Sequence, residues 1–340
     1  MSNGFRMGFL LPVEHAATDN MRERMANVLE AARLAEQAGF AYLDAPQHYL
    51  AAPSQYLHCV PLLARVAAET KSVDLCTNII QLTLHNPVQI AEELATLDLI
   101  SDGRLIAGFG RGYREDEFQA FGIAPGSRLS RFLETLDIVK RLWTGQAVTA
   151  QGKHFSLIDA SIGIRPLQEG GPPIIIAASA DKMIERSAHI ADGWTAVGHC
   201  TLDVLLGQVE VYKQALADAG KPFPPAHYRI ALETYVAQTS EQARKIALPY
   251  VAKKYAGYAS WGQDDELPDG QTFDLPIDEL LVGRFNIGSV EEVIERIKMY
   301  RDRMGISEMG VRLYWGGMPH RDLLSAIELM GERVIPAVIR

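Results

Sequence analysis

The sequence predicts an α/β protein, a (β/α)8 or TIM barrel, with residues 1–340 forming one domain. Three observations predict it. Eight short runs rich in Val, Ile, Leu and Ala alternate with amphipathic stretches of helical length, the pattern of buried parallel strands each followed by a crossover helix. The length of 340 residues suits a barrel with insertions. No G-x-G-x-x-G opens near the N-terminus, so a doubly wound open sheet fits less well.

Taken in order, strands are expected at Arg6–Leu11, Ala41–Ala45, Ser72–Ile80, Arg104–Phe109, Pro173–Ala178, Gly193–Val197, Arg229–Ala237 and Met309–Trp315. The helices between and after them are expected at Met21–Ala38, Gln55–Thr70, Pro87–Ile100, Arg128–Trp143, Lys182–Ile190, Leu202–Ala219, Glu241–Tyr255 and Val290–Arg303. Punctuation supports several boundaries. Pro87 follows Asn86, a good N-cap with proline in the first turn. Ser289 followed by Glu292 reads as a capping box, and Gly39 and Gly305 stand where helices should stop. Two stretches break the rhythm: a hairpin-like insertion at 147–161 around Gln151-Gly152, and a long acidic segment at 256–284. A segment that long in a compact domain is often a lid or binding loop.

Composition excludes several function classes. A net charge of -9 argues against nucleic acid as a partner, since such domains carry a basic stripe. Cys59, Cys76 and Cys200 are scattered and odd in number, which suggests neither a disulfide framework nor a zinc site and fits a reducing compartment. No segment reaches the roughly 18 apolar residues of a membrane span, and the run Met7–Pro12 is too short for a signal core. The expectation is a soluble, cytoplasmic protein with no metal and no membrane association.

In such a barrel, chemistry sits at the C-terminal ends of the strands. That rule selects Gln47-His48-Tyr49 after strand two, Thr77-Asn78 and His85-Asn86 after strand three, and Gly108-Phe109-Gly110-Arg111-Gly112-Tyr113 after strand four. It also selects Ala177–Ala180, Gly198-His199 and Trp315–Met318. An arginine among glycines offers a fork suited to phosphate, and Ala178-Ser179-Ala180 before a helix offers amides and a hydroxyl at a positive helix end. Together they could hold one phosphate. On spacing alone the glycines could equally serve tight packing, with Arg111 paired to a surface acid. His48 in a polar-aromatic cluster could manage protons near neutrality or be a structural histidine; His85 and His199 are weaker candidates of the same kind.

Four stretches, "AEQAGFAYLDAPQHY", "HNPVQIAEELATLDLISDGRLIAGFGRGY…EF…FG", "PPIIIAASADKMIERSAHIADGW" and "IGSVEEVIERI…LYWGGMP…ERVIP", resemble the bacterial luciferase-like flavin monooxygenase family nearly end to end. The resemblance implies a (β/α)8 barrel that holds reduced FMN, or deazaflavin F420 in one branch. By position it implies that Gly110, Arg111, Gly112 and Tyr113, with Ala178 and Ser179, cradle the phosphate. Thr77, Asn78 and Ile79 would lie under the isoalloxazine ring, with a non-prolyl cis peptide at Asn78-Ile79. His48 matches the first histidine of a Glu-His-His stretch in the family and would be the catalytic acid/base, although here the stretch reads Gln47-His48-Tyr49. The implied reaction is oxygenation of a small organic substrate by reduced FMN and O2 through a C4a-(hydro)peroxyflavin. A separate NAD(P)H:flavin reductase would supply the reduced flavin, and helix Pro87–Ile100 resembles the region that forms the family's homodimer. The alternatives are an F420-dependent hydride-transfer oxidoreductase and a non-catalytic flavin-binding protein.

Overall fold

The structure, a computed structural model, describes residues 4–261, 267–268 and 272–339. The central strands are β1 (Arg6–Leu10), β2 (Tyr42–Ala45), β3 (Asp74–Thr77), β4 (Leu105–Gly110), β5 (Ile174–Ala178), β6 (Gly193–Ala196), β7 (Arg229–Ala237) and β8 (Glu308–Arg312). Each pairs in parallel with the next, and β8 pairs back onto β1, so the sheet closes. Closure leaves no edge. The strands carry almost wholly buried residues, as a sheet covered by helices on its outside requires.

Several caps stand where the sequence puts them. Asn86 accepts hydrogen bonds from the amides of Val88 and Gln89, Ser289 and Glu292 form the capping box, and Gly305 ends helix Val290–Met304 in the left-handed region. The insertion at 147–161 is an antiparallel hairpin, with Val148 opposite Ala160 and Gln151 opposite Ser156.

Other boundaries differ. The third strand is expected at Ser72–Ile80 but spans Asp74–Thr77; Ile80–Gln81 resumes beside the end of β4 after a cis Asn78-Ile79 bond. The eighth strand stops at Arg312 instead of Trp315, because β1 and β7 pair with it only as far as Val311 and Arg312. The second helix begins at Cys59, not Gln55. Gln55 and Tyr56 pair instead with Glu14 and His15, and the Gln55 amide donates to the carbonyls of Ala16 and Asp19, which holds this segment extended. The seventh helix runs further, from Ser240 to Ser260, absorbing the first part of the 256–284 insertion. Residues 262–266 and 269–271 of that insertion lie outside the described residues. A short strand Asn286–Ser289 beside β7 and a helix His320–Leu329 after β8 were not foreseen.

The barrel interior is not uniformly apolar. Arg229 on β7 is 0 % exposed, stands 3.3 Å from Asp44 on β2, pairs with Glu308 on β8 and lies over the Tyr42 ring. Asn78 Nδ2 donates to Asp44 at 3.1 Å, which joins this buried network to the loop after β3. Burial, only partly offset by Arg229, pushes the Asp44 carboxyl up to about 6.

Candidate active site

A cleft opens at the C-terminal ends of β2 to β6. Asn78 and Ile79 from the loop after β3, Gly110, Arg111, Gly112 and Tyr113 after β4, and Ala178 and Ser179 at the end of β5 all line it together with His48. Eight of the nine residues expected at the cofactor are therefore brought to one surface. The exception is Thr77, which is buried and spends its hydroxyl on Gly108, donating to the carbonyl at 2.9 Å and accepting from the amide at 2.8 Å. It ties β3 to β4 beneath the cleft.

The glycines have two different reasons. A Cβ on Gly108 would stand 1.9 Å from the Thr77 carbonyl oxygen, so this glycine serves close strand packing. Gly112 has φ +80°, a conformation that favours glycine, and this turn carries the chain from β4 back across the cleft. Arg111 lies on the turn between them. Across from it, Ala180 precedes helix Asp181–Ile190 without a side-chain cap; the Met183 amide turns back to the Ala180 carbonyl at 2.8 Å, and the start of this helix presents its positive end to an anion. Much of the remaining lining, Ile79, Ala177, Ala178, Met183 and Val197, is apolar, with Gln47 and Gln81 as polar exceptions. One cationic end and a flat apolar body fit a planar ring system that carries a phosphate.

His48 lines the same cleft. Its Nδ1 is 3.2 Å from Oε1 of Glu117, a fully buried carboxylate on the short helix Glu115–Ala120. The same oxygen accepts the Tyr49 amide at 2.8 Å, and Arg114 lies 3.7 Å away. Burial alone would raise the Glu117 carboxyl, but the His48 ring, the Tyr49 amide and the Gln81 side chain together hold it below the ordinary carboxylate range. An ionised carboxylate can only accept, so Nδ1 carries the proton in this contact and Nε2 is the ring nitrogen left for other partners. Around the imidazole stand Tyr56, Tyr113 and Trp261, with ring centroids at 5.6, 5.8 and 5.7 Å. Arg114 donates to the carbonyls of Tyr49 and Leu50 and lies 4.5 Å over the Trp261 ring, so one buried guanidinium holds both the strand-two loop and the aromatic wall.

Glu117 is the residue that sequence reasoning did not assign. Its signal was present: it belongs to the "EF" of the resembling stretch, and it stands in the acidic first turn of a helix directly behind the glycine–arginine turn. Gln47, which replaces the family's glutamate, does other work. Its side-chain oxygen accepts the Gln81 amide at 3.1 Å and stands 3.2 Å from His85 Nε2. His85 is thus a buried strut outside the cleft, and burial lowers its pKa to about 4. His199 is held in an aromatic cluster, 3.0 Å from the Tyr255 hydroxyl, where burial lowers it to about 3. Both are locked as neutral structural rings. Among the described residues no cluster of three His, Cys, Asp or Glu could hold a metal, and no helix is long and apolar enough to cross a membrane.

The family model for luciferase-like monooxygenases matches residues 5–307, and the chain belongs to this family. It is 24% identical over 356 residues to the oxygenase component of a flavin-dependent trigonelline monooxygenase from Acinetobacter baylyi, covering 98% of this chain and 95% of that one. It is 26% identical to an F420-dependent glucose-6-phosphate dehydrogenase from Amycolatopsis mediterranei, covering 81% of this chain and 85% of the other. The monooxygenase RslO1 from Streptomyces bottropensis superposes with a TM-score of 0.88 at 25% identity, over 97% of this chain and 99% of its own. Proteins of this family are oxidoreductases, and the relatives include users of flavin and users of F420.

Proposed function

We propose that the protein is an FMN-dependent monooxygenase that takes reduced flavin from a separate reductase and oxygenates a small organic substrate. The observation that carries this reading is the His48–Glu117 pair, set in an aromatic enclosure on a cleft whose glycine–arginine turn suits a phosphate. Arg111, Ser179 and the start of helix Asp181–Ile190 would hold the phosphate; Gly110, Gly112 and Tyr113 would line its approach, and Asn78, Ile79 and Ala178 the ring. Reduced FMN bound there would supply the electrons that activate O2, one oxygen atom going to substrate and the other to water. Every other task falls to the chain. Glu117 fixes the tautomer of His48, so that Nε2 can take a proton and return it. Tyr56, Tyr113 and Trp261 keep bulk water from that nitrogen, which strengthens each polar contact made there. The groove bounded by helix Pro87–Ile100, with Leu99 and Ile100 exposed on its last turn, is the face through which two copies would form a homodimer. Light scattering that returns a monomer at micromolar concentration would refute that assembly.

The F420 relative supports a second reading, hydride transfer from reduced F420 in the same cleft. Anaerobic titration with reduced FMN and with reduced F420, read by absorbance, separates the two. Tight binding of reduced FMN, followed on admission of O2 by flavin oxidation that His48→Ala alters, supports the monooxygenase. Binding of reduced F420 alone would replace it with the dehydrogenase, and flavin binding with no dependence of reactivity on His48 would favour a non-catalytic binder.

A further inference from the structure

A second recess lies against the first, at the C-terminal ends of β1, β7 and β8, and its character is different. Glu233 on β7 is 4 % exposed at its base, where it accepts the Trp315 indole N–H at 2.6 Å and pairs with Lys254. Arg312, the last residue of β8, places Nε 3.6 Å from the same carboxylate, too far for a hydrogen bond. Two cations therefore share one buried anion, and Lys253 adds a third at the mouth. The only carboxylate among the described residues lining the recess is Glu14, which accepts from the Ser54 hydroxyl at 3.1 Å. His15 on the same wall is held neutral by burial, its pKa lowered to about 4. The recess is thus cationic at its base, with a buried counter-charge too small to neutralise it. Burial, with Arg312 beside it, lowers the Lys254 amine to about 8 despite Glu233, so the lysine gains from any further anion.

From this base an unbroken aromatic wall leads to His48. Lys254 Nζ lies 4.6 Å over Tyr258, Tyr258 is 5.9 Å from Trp261, and Trp261 is 5.7 Å from His48. Tyr258 and Trp261 line the recess, so its far side is the enclosure described above. We propose that this recess is the substrate subsite and that it takes an aromatic carboxylic acid, the carboxylate seated on Arg312 beside Lys254 and the ring lying along Tyr258 and Trp261 toward His48. A planar ring on these side chains is held by stacking and apolar burial. A carboxylate matches the guanidinium fork, and its charge answers the excess of cations. The proposal rests on the reading of His48 as the reacting end of the site.

The test uses the whole protein, with 2-naphthoate as probe and 2-naphthamide as its neutral isostere, by titration calorimetry. Wild type should bind the acid more tightly than the amide by about 10- to 150-fold, the worth of a hydrogen bond to a charged group. Arg312→Gln should abolish that preference and leave reduced-FMN affinity unchanged, and Arg312→Lys should keep part of it. Glu14→Gln removes the one carboxylate lining the recess and should tighten 2-naphthoate several-fold, an effect of opposite sign that unfolding cannot imitate. Equal affinity for acid and amide, a preference that survives Arg312→Gln, or no change in Glu14→Gln would overturn the proposal. A protein that prefers the acid but binds no reduced FMN would keep this subsite and overturn the monooxygenase reading instead.

Discussion

Replacing Glu117 separates the chemistry of the site from its scaffolding. The carboxylate is fully buried, receives the Tyr49 amide at 2.8 Å and stands 3.2 Å from His48 Nδ1. Glu117→Ala removes both contacts and leaves two N–H groups facing a cavity. At about 1.5–3 kcal/mol for each hydrogen bond to a charged group, the expected loss is about 3–6 kcal/mol, a large part of the roughly 5–15 kcal/mol that holds a domain folded. Glu117→Gln keeps the shape and one acceptor oxygen, so the Tyr49 amide stays satisfied and only charge assistance is lost. That should cost about 1–2 kcal/mol, since charged hydrogen bonds are roughly twice as strong as neutral ones. Its functional cost should be much greater, because a neutral glutamine no longer stabilises the positive charge that His48 gains when Nε2 takes a proton. Coupled oxygenation should fall by about 10²–10⁴-fold, the contribution of the acid/base that Glu117 orients. Because the two residues act as a unit, the double variant with His48→Ala should lose little more than either alone. Calorimetric melting and the yield of hydrogen peroxide per flavin oxidised measure the two effects on the same samples. If Glu117→Gln couples oxygen as wild type does, Glu117 is only a tether for the Tyr49 loop and the pair is not the proton-handling device.

Three further outcomes are expected. Arg111→Ala should weaken reduced-FMN binding by about 1.5–3 kcal/mol, with Arg111→Lys a poor substitute for want of the fork; fluorescence titration checks both, and unchanged affinity would remove Arg111 from the phosphate site. His48→Ala should lower stability by no more than the one Glu117 contact, about 1.5–3 kcal/mol, and leave flavin affinity nearly intact while peroxide release rises and product falls, whereas normal coupling in a destabilised variant would make His48 scaffolding. His85, with its pKa lowered to about 4 by burial, is neutral when folded but takes a proton in the unfolded chain below its ordinary value of about 6.5. Its contribution is therefore complete above pH 6.5 and is lost as pH falls toward 4, about 2 kcal/mol of it by pH 5. His85→Gln, which can still donate to Gln47, should flatten that part of the acid limb in denaturant titrations at pH 7 and pH 5; an unchanged slope would refute the assignment.

The alternation of apolar runs and helical stretches was enough for the sequence to determine the barrel, because parallel strands buried on both faces are mostly apolar even where a few charged residues enter the interior. Caps such as Asn86, Ser289 with Glu292, and Gly305 were legible for the same reason, since their hydrogen bonds lie within a few residues. Strand ends were legible less well, because a ladder stops where its neighbours stop, as β8 does at Arg312. The sequence also singled out several strand ends, and Arg111, Ser179 and His48 from three of them do line one cleft. What it could not decide was pairing at long range. Glu117 meets His48 across 69 positions, and Arg229 meets Asp44 across 185. Arg312, Lys254 and Glu233 are drawn together from two strands and a helix. A charged residue in a strand reads the same whether it faces solvent or a barrel interior, because charge has no local periodicity to betray its partner. Only closure of the sheet brings these groups within reach of one another, and it is their distances, not their identities, on which the proposed roles of proton carrier and anion anchor rest.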